Sequence, residues 1–172
     1  VGPIGVLNGA ANYDVDYDDV DTAGANGVRF ATKGGWLGFG ETYWLTALVP
    51  ANGVNADAGF RSGNGAYQAE FSGPQQLVGP GKQITTQTHF FAGAKEVRTL
   101  DQYESKLGIP LFGKAIDWGW FEILEKPIFY VLDWLFKLFG NFGVAIIALT
   151  FIVRGLMFPI AQRQFASMAA MR

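Results

Sequence analysis

The order of apolar and polar residues divides this chain into an alternating first half and a continuous apolar stretch near the C-terminus. Residues 1–92 contain short runs in which apolar and polar residues alternate, at 28–32, 67–71 and 84–91. The glycine pairs that separate such runs include Asn26-Gly27, Gly34-Gly35, Asn52-Gly53 and Asn64-Gly65. A period of two interrupted by turn residues is typical of antiparallel strands. The pattern predicts an antiparallel β-sandwich over residues 1–92.

Two stretches of this half carry more specific predictions. Trp36, Phe39 and Tyr43 have the i, i+3, i+7 spacing of one helical face, which predicts a short helix before a strand at 45–49. In the acidic stretch 14–21, apolar and acidic residues alternate, which predicts a solvated strand face whose charges discourage edge pairing.

In the acidic stretch, Asp14, Asp16 and Asp18 match the first, third and fifth ligand positions of a calcium-binding loop. The sixth position, where that loop requires glycine, is Asp19, and the twelfth, where a bidentate Glu belongs, is Ala25. His89 is the single histidine, and the chain has no cysteine with which it could share a metal. We therefore expect no metal or other cofactor, and a structural role for His89.

Residues 93–117 are more charged and favour a helix. Val97, Leu100 and Leu107 are spaced for one helical face, and the sequence Gly108-Ile109-Pro110 interrupts it. The pattern predicts a helical linker over 93–117.

Residues 118–139 form an amphipathic pattern. Glu122, Lys126, Asp133 and Lys137 recur at helical spacing opposite an apolar face. Such a helix lies in a membrane interface rather than across it, and tryptophans suit the depth of the headgroups. The alternative is a core helix of a soluble domain. The predicted membrane-interface residues are Trp118, Trp120 and Trp134.

Residues 141–160 contain no acid and one charge, Arg154. Twenty residues at about 1.5 Å per residue give roughly 30 Å of helix, the thickness of the hydrocarbon core of a bilayer. Eleven Leu, Ile, Val and Phe residues favour insertion by on the order of 4 kcal/mol, against roughly 3 kcal/mol for one central Arg. The stretch predicts one transmembrane helix, whose free energy of insertion is favourable by a small margin.

Arg154 is the main functional candidate, because ionisable residues inside a membrane span usually face a polar cavity. Snorkelling to the headgroups beyond Ile160 is the alternative. Side chains on a helix lean toward its N-terminus, which directs Arg154 back toward the membrane centre. Thr150, one turn earlier, lies on the same face. The pattern favours a polar cavity on the helix face that carries Arg154 and Thr150.

Pro159 removes the hydrogen bond to the carbonyl of Gly155, which predicts a helix bend at these two residues. Residues 161–172 then predict the start of a further helix.

Orientation follows from charge. Residues 141–172 carry three Arg and no acid, whereas all fifteen acids lie in residues 1–140. The positive-inside rule then predicts a cytoplasmic C-terminus, with residues 1–140 on the opposite side.

Composition narrows the function classes. The net charge of −2 provides no basic surface, so we expect no direct nucleic-acid binding through this chain. No nucleophile elbow, Walker loop or dinucleotide-binding signature is present, so an enzyme is the weaker hypothesis. Because the chain begins at Val1 without a signal peptide, we interpret it as a fragment of a multi-domain membrane protein.

The C-terminal half resembles the YidC/Oxa/Alb family of membrane insertases. The stretches that carry the resemblance are DWGWFEILEKPIFYVLDWL, GNFGVAIIALTFIVRGLMFPI and QRQFASMAAMR, together with KGGW and LVGPGK upstream. The resemblance implies a periplasmic β-supersandwich, similar in fold to sugar mutarotases, followed by a helical membrane part in the bacterial inner membrane. It further implies that Arg154 projects into a hydrophilic groove, and that 161–172 starts a cytoplasmic helix.

The implied function is that of a non-enzymatic insertase and chaperone, which receives nascent membrane proteins and releases their spans into the lipid bilayer. The implied partners are nascent chains, the Sec translocon with its accessory subunits, and the translating ribosome. The competing hypothesis is a membrane-anchored carbohydrate-binding or mutarotase-like periplasmic protein, which explains the β domain but leaves Arg154 unexplained.

Overall fold

The computed structural model describes the backbone of residues 2–169, and its side chains except at Trp120, Ile160, Ala161 and 163–169. The chain forms two compact units, residues 1–117 and 118–172. Each is described by itself below.

The first unit is built mainly from antiparallel strands. Its strands are β1 (Gly2–Leu7), β2 (Ala10–Asn12), β3 (Val28–Lys33), β4 (Trp36–Gly40), β5 (Trp44–Pro50), β6 (Asn55–Gly63), β7 (Ala66–Ser72) and β8 (Thr88–Ala94). Its helices are α1 (Tyr17–Ala23) and α2 (Val97–Leu107), with 3₁₀ turns at Gly24–Asn26 and Phe112–Ala115.

The strands form two sheets. One has five strands in the order β2-β1-β4-β5-β8, and the other has three in the order β3-β6-β7. All pairings are antiparallel. The turn between β6 and β7 is Asn64-Gly65, with positive φ angles of 53° and 75°, a conformation that matches the twist of a two-residue hairpin. The sequence prediction of antiparallel sheets is confirmed, including the alternating strands β3 and β7.

The central strands β1 and β4 of the five-stranded sheet are buried on both faces. On one face, Leu37 packs with Phe60 and Ala58 of the smaller sheet and with Val20 of α1. On the other face, β1, β4 and β5 pack against α2 and the segment after it. The buried members of this second core are Ile4, Val6, Trp36, Leu45, Ala47, Val49, Leu100, Ile109, Phe112 and Ala115. The first unit is therefore a β-sandwich with a third, helical layer on the larger sheet.

The predicted helix over Trp36, Phe39 and Tyr43 is wrong, because Trp36–Gly40 is strand β4. This strand pairs with β1 on one side and β5 on the other. Gly38 permits the close approach, since a Cβ there would clash with the carbonyl of Thr46. A central strand presents apolar residues to both faces, so its spacing also fits a helix.

The predicted strand over the acidic stretch is also wrong from Tyr17 onward, where α1 begins. Asp16 caps this helix: its Oδ1 accepts from the Asp19 backbone N–H at 2.8 Å, and Asp19 Oδ2 accepts from the Asp16 N–H at 3.2 Å. This reciprocal pair is a capping box. The aspartates start a helix instead of covering a strand.

The predicted linker, residues 93–117, lies entirely within the first unit. β8 extends to Ala94, and α2 contributes Leu100, which is fully buried, to the core. The polypeptide after α2 is equally well packed, since Ile109, Phe112 and Ala115 are buried. We call residues 108–117 the strap, because they lie against the sandwich and lead directly to the second unit.

The second unit consists of a 3₁₀ turn at Gly119–Phe121 and helices α3 (Glu122–Phe139) and α4 (Phe142–Ala169). Gly140 ends α3 in the left-handed conformation, φ 64°, and its N–H donates to the Phe136 carbonyl at 2.8 Å. Asn141 starts α4, because its Oδ1 accepts from the backbone N–H groups of Gly143 at 2.9 Å and Val144 at 3.3 Å. Two adjacent residues thus end one helix and start the next.

Candidate membrane-facing site

Helix α4 contains the one described segment that is long and apolar enough to cross a membrane, Phe142–Pro159. Its large apolar side chains are mostly exposed. Phe151 is 74% exposed, Leu156 67% and Phe158 61%, whereas Ala145 is fully buried. A core helix of a soluble protein would bury these side chains, so their exposure is consistent with contact with lipid.

Arg154 lies within this apolar segment and is exposed. Thr150 precedes it by four residues, and both lie on one face of the helix. The Thr150 hydroxyl donates to the Ile146 carbonyl at 2.9 Å, which leaves its oxygen as an acceptor. Within the part of the chain that the structure describes, no acid forms an ion pair with Arg154. The guanidinium is therefore available to a group from outside this helix.

Gly155 and Pro159 follow on the same helix. α4 continues through Pro159 to Ala169, although proline has no N–H to donate to the Gly155 carbonyl. A Cβ at Gly155 would meet no atom within 4 Å. The helix is thus open at Gly155, and the bend at these residues stays a prediction.

Four of the five charged residues of helix α3, all except Glu125, form ion pairs along one side. Glu122 and Lys126 form an ion pair at 2.8 Å, and Asp133 and Lys137 form another at 3.4 Å. Large apolar groups on the same helix remain exposed, with Ile123 at 92%. Because the charges neutralise each other in i, i+4 pairs, this helix can lie at a headgroup boundary with little net charge.

The predicted interface tryptophans differ in their surroundings. Trp118 is half-buried; its ring meets Phe129 edge-on at 5.9 Å, and the Lys126 ammonium lies 5.9 Å from the ring centroid. Trp134 is 58% exposed. The side chain of Trp120 lies outside the described residues. Trp134 therefore has the exposed indole that an interface position uses, while Trp118 packs on α3.

Sequence reasoning missed the bonds that hold the strap. Asn52 Nδ2 donates to the Gly108 carbonyl at 2.9 Å, Trp36 Nε1 to the Pro110 carbonyl at 3.1 Å, and the Tyr13 hydroxyl to the Lys114 carbonyl at 2.7 Å. The partners are 56, 74 and 101 residues apart. No local sequence pattern predicts hydrogen bonds between residues so far apart in the chain. They fix the polypeptide immediately before the helical unit to the β-sandwich.

Among the described residues, no three His, Cys, Asp or Glu side chains are grouped to hold a metal. A β-sandwich followed by an amphipathic helix and an exposed apolar helix defines a membrane-associated protein with a folded extramembrane domain.

Comparison with known proteins identifies the family. A family profile described as the YidC periplasmic domain matches residues 1–131. The chain is 55% identical to the membrane protein insertase YidC of Zymomonas mobilis, covering 99% of this chain and 30% of the relative. It is 42% identical to that of Granulibacter bethesdensis and 38% identical to that of Rickettsia typhi, covering 99% of this chain and 31% of each. The chain belongs to the YidC family of membrane protein insertases, which confirms the resemblance seen in the sequence.

The chain spans about 30% of the length of the relatives that it matches. Those relatives are named as insertases and not as enzymes, and their names do not favour the mutarotase-like hypothesis.

Proposed function

We propose that the protein acts in membrane protein insertion: Arg154 receives a polar part of a nascent membrane protein, whose apolar span then passes into lipid. The observation that carries this proposal is an exposed arginine inside an exposed apolar helix. The names of the relatives support the same function.

An unpaired charged group inside a membrane has a high free energy. A lone Arg at the centre of a membrane helix costs roughly 3 kcal/mol on the insertion scale, and this cost falls when the guanidinium gains a polar partner. An acidic or polar nascent segment has the complementary problem, because it also loses water when it enters the membrane. Each group reduces the desolvation cost of the other, so the segment is bound transiently. Transfer of the apolar span into lipid then favours release.

Thr150 extends the proposed groove. Its hydroxyl oxygen can accept a hydrogen bond beside the Arg154 donors, so the pair can hold a segment that offers both donors and acceptors. No nucleotide, metal or covalent step is required.

We place this machinery in the bacterial inner membrane. The three Arg of residues 141–172 and their lack of acids support a cytoplasmic C-terminus, with residues 1–140 on the periplasmic side. Trp134 and the paired charges of α3 support an interfacial position for 118–139. The Sec translocon with its accessory subunits and the translating ribosome are proposed partners on the family resemblance.

The decisive experiment places a photo-crosslinking residue at position 154 of the intact parent protein and traps ribosome-bound nascent chains of a small membrane protein. Position 152 is the matched control, because two residues along a helix is about 200° away around the axis at nearly the same depth. We expect a crosslink from 154 that is lost when the acidic residues of the substrate are neutralised, and a weak one from 152.

Equal crosslinking to the substrate from both positions would mean that the face carrying Arg154 has no special role. Crosslinks from 154 to lipid alone would favour snorkelling. An insertion assay completes the test: Arg154→Leu should reduce insertion of substrates with acidic tails, and Arg154→Lys should retain most of it because the charge remains.

A further inference from the structure

Each helix of the second unit has one buried side chain among the residues that the structure describes. Leu135 of α3 is 3% exposed, and Ala145 of α4 is fully buried. The corner Gly140-Asn141 lies between them in the chain, and the rings of Phe136 and Phe142, on either side of that corner, are 5.5 Å apart. α3 and α4 contact each other. We therefore attribute the burial of these two side chains to packing of the helices beside the corner.

Burial also marks the face of α4 that packs on α3. Ala148 and Leu149 are half-buried, and together with Ala145 they have the i, i+3, i+4 spacing of one helical face. The residues on the other sides of this turn, including Val144 and Ile147, are exposed. Small residues at 145 and 148 let two helices approach closely. The contact is thus confined to one face of α4.

Arg154 lies on the opposite face of α4. It follows Ala145 by nine residues, which at about 100° per residue places it roughly 180° around the helix axis. The same nine residues advance the helix by about 14 Å, close to half of the roughly 30 Å thickness of the hydrocarbon core. A contact that holds Ala145 against α3 therefore also determines the direction and depth of Arg154.

We propose that Leu135 and Ala145 are positioning residues: by packing α3 against one face of α4, they direct Arg154 away from α3 and hold it near the middle of the membrane. The depth follows from the proposed interfacial position of 118–139, because a helix at the headgroup boundary keeps Ala145 close to that boundary. A groove at Arg154 then opens on the side of α4 that α3 leaves free. This inference rests on the proposed function of Arg154.

A larger side chain at position 145 has no space in this arrangement. Because Ala145 is fully buried, a leucine there must displace α3 or rotate α4. The axes of packed helices are about 8 to 10 Å apart, depending on the side chains at the contact, so we expect a displacement of roughly 2 Å. Replacing Leu135 with Ala at the same time conserves the total side-chain volume, which packed helices tolerate best.

The test measures the distance between two spin labels by double electron–electron resonance, in the intact parent protein in nanodiscs with any other cysteines replaced by serine. The labels are attached at Ile123→Cys on α3 and Phe151→Cys on α4, because these side chains are 92% and 74% exposed. We expect Ala145→Leu to change the distance by roughly 2 Å or more, and the double variant Leu135→Ala/Ala145→Leu to restore it. Val144→Leu is the matched control, since Val144 is exposed beside Ala145, and it should leave the distance unchanged.

A second readout separates positioning from general damage to the helices. It is the ratio of insertion of a substrate with an acidic tail to insertion of the same substrate with that tail neutralised. A destabilised helical unit would reduce both rates equally, whereas a displaced Arg154 reduces the first. We expect Ala145→Leu to lower the ratio toward that of Arg154→Leu, and the double variant to recover most of it.

An unchanged label distance in Ala145→Leu, or a double variant as displaced as the single one, would overturn the role of this pair. If Ala145→Leu does not accumulate, the double variant should accumulate with the original distance, and its failure to do so would count against the proposal. A changed distance with an unchanged ratio would show that this packing does not position Arg154 for the substrate. If Arg154→Leu itself left the ratio unchanged, the proposed function would fail, while the label distances would still test the packing.

Discussion

The indole Nε1 of Trp36 donates to the carbonyl of Pro110 at 3.1 Å, which joins the centre of the larger sheet to the strap. Trp36 is fully buried, and its ring meets Phe112 edge-on at 5.3 Å. One side chain therefore holds the strap by a hydrogen bond and by packing. This contact therefore fixes the strap on the β-sandwich.

Replacing Trp36 with Phe should destabilise the β-sandwich. The substitution leaves the Pro110 carbonyl without its donor and removes buried volume, which together cost about 2 to 4 kcal/mol. Resistance of the intact protein to proteolysis across a urea series would measure the change. Trp44→Phe is the matched control, because Trp44 is 63% exposed, and it should change stability by less than about 0.5 kcal/mol. Equal effects of the two substitutions would contradict the role given to the strap contact.

Asn141→Ala should loosen the first turn of α4. Asn141 accepts from the backbone N–H groups of Gly143 and Val144, and loss of such a cap typically costs about 1 kcal/mol. Hydrogen–deuterium exchange at these two amides should accelerate roughly fivefold for that energy. Asn141→Asp retains an acceptor and should keep exchange slow. Unchanged exchange in the Ala variant would show that the cap does not hold this turn.

Tyr67 should make the stability of the first unit depend on pH at the alkaline end. Its hydroxyl donates to Asp21 Oδ2 at 2.6 Å, and this bond, followed by desolvation and nearby acids, raises the pKa of Tyr67. Because the folded pKa exceeds the unfolded one, this contribution is complete below about pH 10 and is lost as the pH rises through the folded pKa.

The free energy of unfolding of the wild type should therefore fall more steeply above roughly pH 10 than that of Tyr67→Phe, which cannot ionise. Asp21→Asn keeps an acceptor but removes the charge, so its slope should lie between the two. Identical slopes for all three proteins would mean that Tyr67 titrates normally in the folded state.

Local sequence determined the secondary structure of those segments in which each face meets a single environment, either the core, water or lipid. β3 alternates because one face meets the core and the other meets water, and Asn64-Gly65 has the residues that its hairpin turn requires. The apolar length of α4 and its single Arg154 were likewise readable, since a helix in lipid satisfies its backbone internally.

Tertiary structure decided the rest. β4 is buried on both faces, so its residues are apolar on both sides and do not show the alternation that predicts a strand. Its conformation is determined by pairing with β1 and β5. The sequence predicts the strap only as part of a linker, because its bonds to Asn52, Trp36 and Tyr13 join residues far apart in the chain and leave no local pattern. Sequence fixes what each residue can do, whereas long-range packing determines which residues meet.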